Sequence, residues 1–298
     1  MVVFGTLWLN RFVAQTARWR PSQKERSVPM NGSDNSQKNI LTRSDGATIA
    51  YDQISGDGPG VIFLHGLKSD RRGTKAAHLL KYCEASDQPF ITFDMFGHGD
   101  SSGDFVDGSI SRWTDDALAV IDALTEGPQV LIGSSMGGWV MLKTALARPD
   151  RIKGLIGIAA APDFTETLIW GSLSQDQRES VMTTGRLEMP SVYQEEPYDI
   201  GLTLIEDGRS NLLLNKPISF SGPVRLLHGL TDDDVPWQVS VTTAEHLTGE
   251  DVTVTLVKDG KHNLSRPDDL DLLTETLESI LAKVTDQRNR PTPMFRRR

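Results

Sequence analysis

Short apolar runs alternate with helical patterns along the middle of the chain. Val61-Ile62-Phe63-Leu64, Phe90-Ile91-Thr92-Phe93, Val130-Leu131-Ile132, residues 154–159 and Val224-Arg225-Leu226-Leu227 are continuous or nearly so. Strands covered on both faces read this way, because neither face meets water. Between the runs, apolar residues recur every three or four positions. That spacing predicts a helix over 74–84, a second through Trp113, Ala117, Leu118, Ile121 and Leu124, and a third from Val140. Residues 252–257 add a late strand, and Pro267 opens a last helix with Leu270, Leu273, Leu277, Ile280, Leu281 and Val284 on its apolar face. Ahead of the first buried run, residues 40–43 and 47–51 flank Ser44-Asp45-Gly46, the signature of an antiparallel hairpin. Strands alternating with helices predict an α/β domain over 39–284, a mostly parallel sheet with helices on both faces.

The periodicity fails between about 163 and 222. Phe164, Leu168, Ile169, Trp170, Leu173, Met182, Leu187, Met189 and Tyr193 are scattered among polar and acidic residues, and no strand candidate is clean. The segment reads as a helical cap inserted over the strand ends.

Composition narrows the possible partners. The 298 residues carry a net charge of −9, and both ends are basic. Taking ten basic and two acidic residues of 1–30 and 285–298 from totals of 31 and 40 leaves 21 basic and 38 acidic residues, a net of −17 for residues 31–284. Such a body repels phosphates and is a poor partner for nucleic acid or an anionic bilayer. Cys83 stands alone, which excludes an intramolecular disulfide and a thiolate metal cluster. Residues 1–38 read as an N-terminal extension, and 285–298 as a basic tail. The first 19 residues are apolar with interspersed Arg and no acid, too broken by Asn10 and Arg11 to span a bilayer. The expected location is cytoplasmic; the alternative is the mitochondrial matrix, if 1–29 is a targeting peptide.

The chemistry centres on Gly133-Ser134-Ser135-Met136-Gly137, which follows the Val130-Leu131-Ile132 run and precedes a helical pattern. A Gly-x-Ser-x-Gly turn between strand and helix lifts its serine above the sheet edge, so Ser135 is the candidate nucleophile. A serine hydroxyl needs a base, itself oriented by an acid, and in sheets of this kind acid and base follow the serine in that order. His65 lies in a His-Gly turn, His78 and His246 on helices, His228 at a strand end, and His98 before the serine. His262, in the loop after the last strand, is the candidate general base. The acid comes from Thr231-Asp232-Asp233-Asp234-Val235-Pro236. Asp232 is first after the strand and is preferred; Asp233 and Asp234 are expected to be solvated or to cap the next helix, and Asp163 is the next candidate beyond these three. The N–H groups of Leu67, after His65-Gly66, and of Met136 are the expected oxyanion donors. No phosphate loop or metal spacing is present, so no cofactor and no metal are expected.

These motifs together resemble the α/β-hydrolase superfamily over about 39–284. Gly73-Thr74-Lys75-Ala76, the stretch from Gly127 to Trp139, Ala147-Arg148-Pro149 and Arg225-Leu226-Leu227-His228-Gly229 resemble more closely the mitochondrial palmitoyl-protein thioesterase group of abhydrolase domain-containing protein ten and its bacterial relatives. The resemblance implies an eight-stranded sheet and a Ser135–Asp232–His262 triad. It also implies hydrolysis of acyl thioesters and carboxylic esters, acyl glucuronides included, with acylated proteins or small esters as partners. A general carboxylesterase for small esters is the alternative, and a non-catalytic hydrolase-like binding protein a more distant one. Trp170, Met182, Leu187 and Met189 of the cap are expected to line a groove for an acyl chain.

Overall fold

Eight strands form one sheet in the computed structural model, which describes residues 39–189 and 197–289. The N-terminal extension, the end of the basic tail and Tyr193 lie outside the described residues. The strands of this sheet are β1 (Asn39–Thr42), β2 (Thr48–Ile54), β3 (Gly60–Leu64), β4 (Phe90–Phe93), β5 (Gln129–Ser134), β6 (Ile152–Ile158), β9 (Val224–Gly229) and β10 (Val252–Val257). Their order is β1-β2-β4-β3-β5-β6-β9-β10; β1 pairs antiparallel with β2 and β2 antiparallel with β4, and every neighbour pair from β4 to β10 is parallel.

The continuous apolar runs are explained by burial on both faces. Within β3, Ile62 and Leu64 enter one core with Trp113 and Trp139, while Val61 and Phe63 enter the other with Leu79, Leu273 and Leu277. Alternate side chains of a strand point to opposite faces, so both sets must be apolar when both faces are covered. The first core lies under α2 (Ile110–Leu124) and α3 (Met136–Ala147), the second under α1 (Thr74–Ala85) and α7 (Pro267–Asn289). α6 (Gln238–His246) lies between β9 and β10 in the chain. α7 runs past Val284 because Thr285-Asp286-Gln287-Arg288 holds no helix breaker; the first, Pro291, comes later.

Between β6 and β9 the chain forms a π-helical turn at Thr165–Ile169, a 3-10 turn at Trp170–Ser172, α4 (Gln175–Thr184) and α5 (Leu202–Ser210). It also forms a two-stranded antiparallel ribbon, β7 (Arg186–Met189) and β8 (Tyr198–Gly201), so the segment is not wholly helical as its pattern suggested. Leu187 faces Ile200 across the ribbon and Glu188 faces Asp199, an alternation only four residues long and too short to register as a period. α4 carries a full capping box, Ser174 with Gln177, and ends at left-handed Gly185. The insertion is bolted down by polar bonds: Trp139 Nε1–H donates to Asn211 O at 3.2 Å, and Ser111 N–H to Asp207 at 2.9 Å. Asp163, at its entrance and held at φ 61°, accepts the N–H groups of Leu213 and Leu214, toward its exit, each at 2.8 Å. The Tyr198 ring meets Phe105, in the loop after β4, at 6.0 Å, so the ribbon stands at the carboxyl ends of the strands.

Candidate active site

Ser135 sits in the turn from β5 to α3 at φ 53° and ψ −120°, a conformation that L-residues adopt rarely and at a cost of order 1–3 kcal/mol. Three bonds hold it there. Its N–H donates to Ile158 O at 2.9 Å, and its carbonyl accepts from Gly138 N at 2.8 Å and Ala161 N at 3.0 Å. The flanking glycines are required by space: a Cβ on Gly133 would lie 2.4 Å from Gly137 O, and one on Gly137 would lie 2.2 Å from Leu64 O.

A continuous chain of hydrogen bonds starts at Ser135. Its Oγ lies 3.0 Å from His262 Nε2, and His262 Nδ1 lies 2.8 Å from Asp232 Oδ2. The Asp232 side chain is wholly buried and the His262 side chain 15% exposed. Burial alone would raise the Asp232 carboxyl, but bonds donated by His228 and His262, with Val235 N–H, outweigh it and hold the group well below the usual carboxylate range. An ionised Asp232 can only accept, so His262 carries its proton on Nδ1 and presents a bare Nε2 to the serine hydroxyl. Asp233 and Asp234 are exposed. Asp232, Asp234 and His262 each bring one donor atom within 4.8 Å of the others. Both ring nitrogens of His262 are already engaged, so ligation of a metal there would cost one of these bonds.

His228 is a part of the site that its sequence position did not reveal. Its Nε2–H is shared between Asp232 Oδ2 at 3.1 Å and Val235 O at 3.0 Å, while Ser240 Oγ lies 2.7 Å from Nδ1. Asp232 Oδ1 accepts Asp234 N–H at 2.9 Å and Val235 N–H at 2.8 Å, so both carboxylate oxygens are saturated. The signal in the sequence was the spacing of four between His228 and Asp232, which spans the close of β9 and the turn after it. The acid loop and the base loop touch directly: Thr231 N–H and Oγ–H both donate to Gly260 O, at 3.0 and 2.8 Å. Gly229 permits this approach, since a Cβ there would lie 2.1 Å from the same oxygen.

The loop after β3 lies against the nucleophile. A Cβ on Gly66 would be 3.3 Å from Ser135 Cβ, which brings half-buried Leu67 alongside, and Met136 opens α3 at its positive end. Lys68 follows at φ 57°, and its N–H donates to His98 Nε2 at 3.3 Å. His98 Nδ1–H donates to Phe96 O at 3.1 Å, and His65 Nε2 accepts Met95 N–H at 3.1 Å. Burial pushes His65 down to about 4; burial and the neighbouring His65 push His98 down to about 3. Both rings are therefore neutral struts under the loop. Asp163 has no bond to any of these groups among the described residues, its carboxylate being spent on Leu213 and Leu214.

Known proteins carry the same arrangement of chain. The family model described as the alpha/beta hydrolase fold matches residues 59–190. The mitochondrial palmitoyl-protein thioesterase ABHD10 of Bos taurus is 38% identical over 247 residues, 83% of this chain and 80% of that protein. The Homo sapiens protein of the same name is 35% identical over 93% of this chain and 88% of its own. The solved structure of mouse alpha/beta hydrolase domain-containing protein 10 superposes with a TM-score of 0.78 at 36% identity, covering 84% of this chain and all of that one.

Proposed function

The chain belongs to the α/β-hydrolase family and is a hydrolase, and from that premise we propose that it cleaves acyl thioesters and carboxylic esters through an acyl-enzyme on Ser135, in the manner of a palmitoyl-protein thioesterase. The observation that carries this is the unbroken Ser135–His262–Asp232 hydrogen-bond chain at a strained strand–helix turn. Ser135 Oγ attacks the acyl carbonyl as its proton passes to His262 Nε2. Asp232 stabilises the imidazolium, and the N–H groups of Leu67 and Met136 donate to the oxyanion. His262 then protonates the departing thiolate or alkoxide. Water enters, gives its proton to His262 and cleaves the acyl-enzyme, releasing a carboxylic acid and restoring Ser135.

Support for a fatty acyl group comes from the ABHD10 relatives and from the apolar content of the cap. The cap residues do not contribute equally. Met182 is 55% exposed, Leu187 is buried in the core, and Trp170 lies under Arg178 and Arg209. Burying each methylene is worth about 0.8 kcal/mol, or about fourfold in rate if the transition state keeps the contact. Thioester kcat/KM should therefore climb from acetyl toward palmitoyl until the groove is full, and Met182→Ala should leave the trend unchanged. A flat profile across that series returns the enzyme to a general carboxylesterase for small esters.

The ABHD10 relatives are mitochondrial by name, which favours targeting to the mitochondrial matrix by residues 1–29 over a cytoplasmic location. A fluorescent protein fused behind those residues should then be imported and processed; a fusion that stays diffuse in the cytosol removes the idea.

A further inference from the structure

The Gly73-Thr74-Lys75-Ala76 phrase has no part in the nucleophile, acid, base or oxyanion loop, yet it places a lysine where one is costly. Lys75 lies in the first turn of α1, the positive end of the helix, and is half-buried. Desolvation pushes its amine down to about 8. Something must compensate for keeping an ammonium there. Its Nζ donates to the backbone carbonyl of Asn263 at 2.6 Å and reaches Ser265 Oγ at 3.5 Å, across 188 and 190 positions of sequence. Asp269, at the start of α7, supplies the opposing charge; it is shared with Arg266, whose N–H, Nε and Nη2 lie 2.9–3.0 Å from the same carboxylate.

Asn263 is the residue after the general base. The loop from β10 to α7 is tied at its start, where Gly260 O accepts both bonds from Thr231, and at its end, where Arg266 bridges Asp259 and Asp269. Between these ties run His262, Asn263 and Leu264, the last at φ 41°. That stretch sets how far His262 Nε2 reaches toward Ser135. We propose that Lys75 is a positioning residue for the general base, gripping its loop through the Asn263 carbonyl so that His262 stays within hydrogen-bond reach of Ser135. The proposal rests on the acyl-enzyme reading above. Lys75 itself touches neither substrate nor reacting atoms.

A misplacement of about 1 Å can cost on the order of 100-fold in rate. Lys75→Met keeps the stem and removes the donor; it should lower kcat for a long-chain thioester by about 10- to 100-fold with KM changed less than about twofold. Lys75→Arg restores a cation and donor at the same reach and should recover most of the loss. The same order should appear in the inactivation rate by a fluorophosphonate, which reads acylation alone. Overturning results are a Lys75→Met enzyme with near wild-type kcat, or a loss that Lys75→Arg does not repair. If Lys75→Met does not fold, the folded fraction of Lys75→Gln decides in the same way, since its shorter amide stops short of Asn263. A wild-type protein without burst acylation would overturn the acyl-enzyme reading itself, whereas a normal wild-type burst with an undiminished Lys75→Met overturns the Lys75 assignment alone.

Discussion

Ser135→Ala should abolish burst acylation and fluorophosphonate labelling while the protein folds as before. The hydroxyl contributes nothing to the scaffold: Ser135 is held by its own backbone, through Ile158 O, Gly138 N and Ala161 N, and its Oγ bonds to His262. Alanine fits the same turn, because Cβ already stands there in the serine. In serine hydrolases of known mechanism, loss of the nucleophile costs about 10⁶-fold in kcat, and what remains comes from the oxyanion donors and substrate binding. The measurement is a rapid-mixing burst with a chromogenic ester, alongside a thermal midpoint to establish folding. Ser134→Ala, one position earlier and at the end of β5, is the control and should keep its burst. A persistent burst in Ser135→Ala would move the nucleophile elsewhere. A wild-type chain that binds acyl compounds but takes no fluorophosphonate would favour the binding-protein alternative.

How much of this was legible in the sequence follows from how each feature is stabilised. The central strands were readable because Gly60–Leu64, Phe90–Phe93 and Gln129–Ser134 are buried on both sides and can tolerate little polarity. The convergence of Ser135, Asp232 and His262 was readable because each follows a strand; chain order then sets aside His65, His78, His98 and His228, and a place on a helix sets aside His246. The β7–β8 ribbon was not, since four-residue strands with Arg186, Glu188 and Asp199 on the outer side leave no period to find. His228 looked like an ordinary strand-end residue because its bond to Asp232 depends on the turn between them. Lys75 gives no signal of its own in the sequence, because its partner lies 188 positions away, a distance at which local pattern carries no information.

The aspartates at 232, 233 and 234 should separate sharply on substitution. Asp232 Oδ2 accepts from His262 Nδ1 and His228 Nε2, and Oδ1 accepts from the N–H groups of Asp234 and Val235. Asparagine must turn its amide toward one of these donor pairs. Either the His262 tautomer is lost or two backbone donors face an N–H₂. The imidazolium exists only during reaction, so its stabiliser acts on the transition state. Asp232→Asn is therefore expected to lower kcat and kcat/KM together, by about 10⁴-fold on the serine-protease precedent, with KM little changed. Asp233→Asn and Asp234→Asn, both at exposed positions, should keep near-normal turnover and lose at most about 1–2 kcal/mol of stability. Acid titration supplies an independent check. The folded carboxyl of Asp232 sits below its unfolded value near 3.9, so its stabilisation is present above that pH and is lost as pH falls through and below it. Urea midpoints measured between about pH 6 and pH 2 should fall more steeply in wild type than in Asp232→Asn, which cannot titrate. A dead Asp234→Asn beside an active Asp232→Asn would shift the orienting acid two residues along, to a carboxylate within 4.8 Å of the same imidazole. Three active variants would remove the acid from this loop altogether.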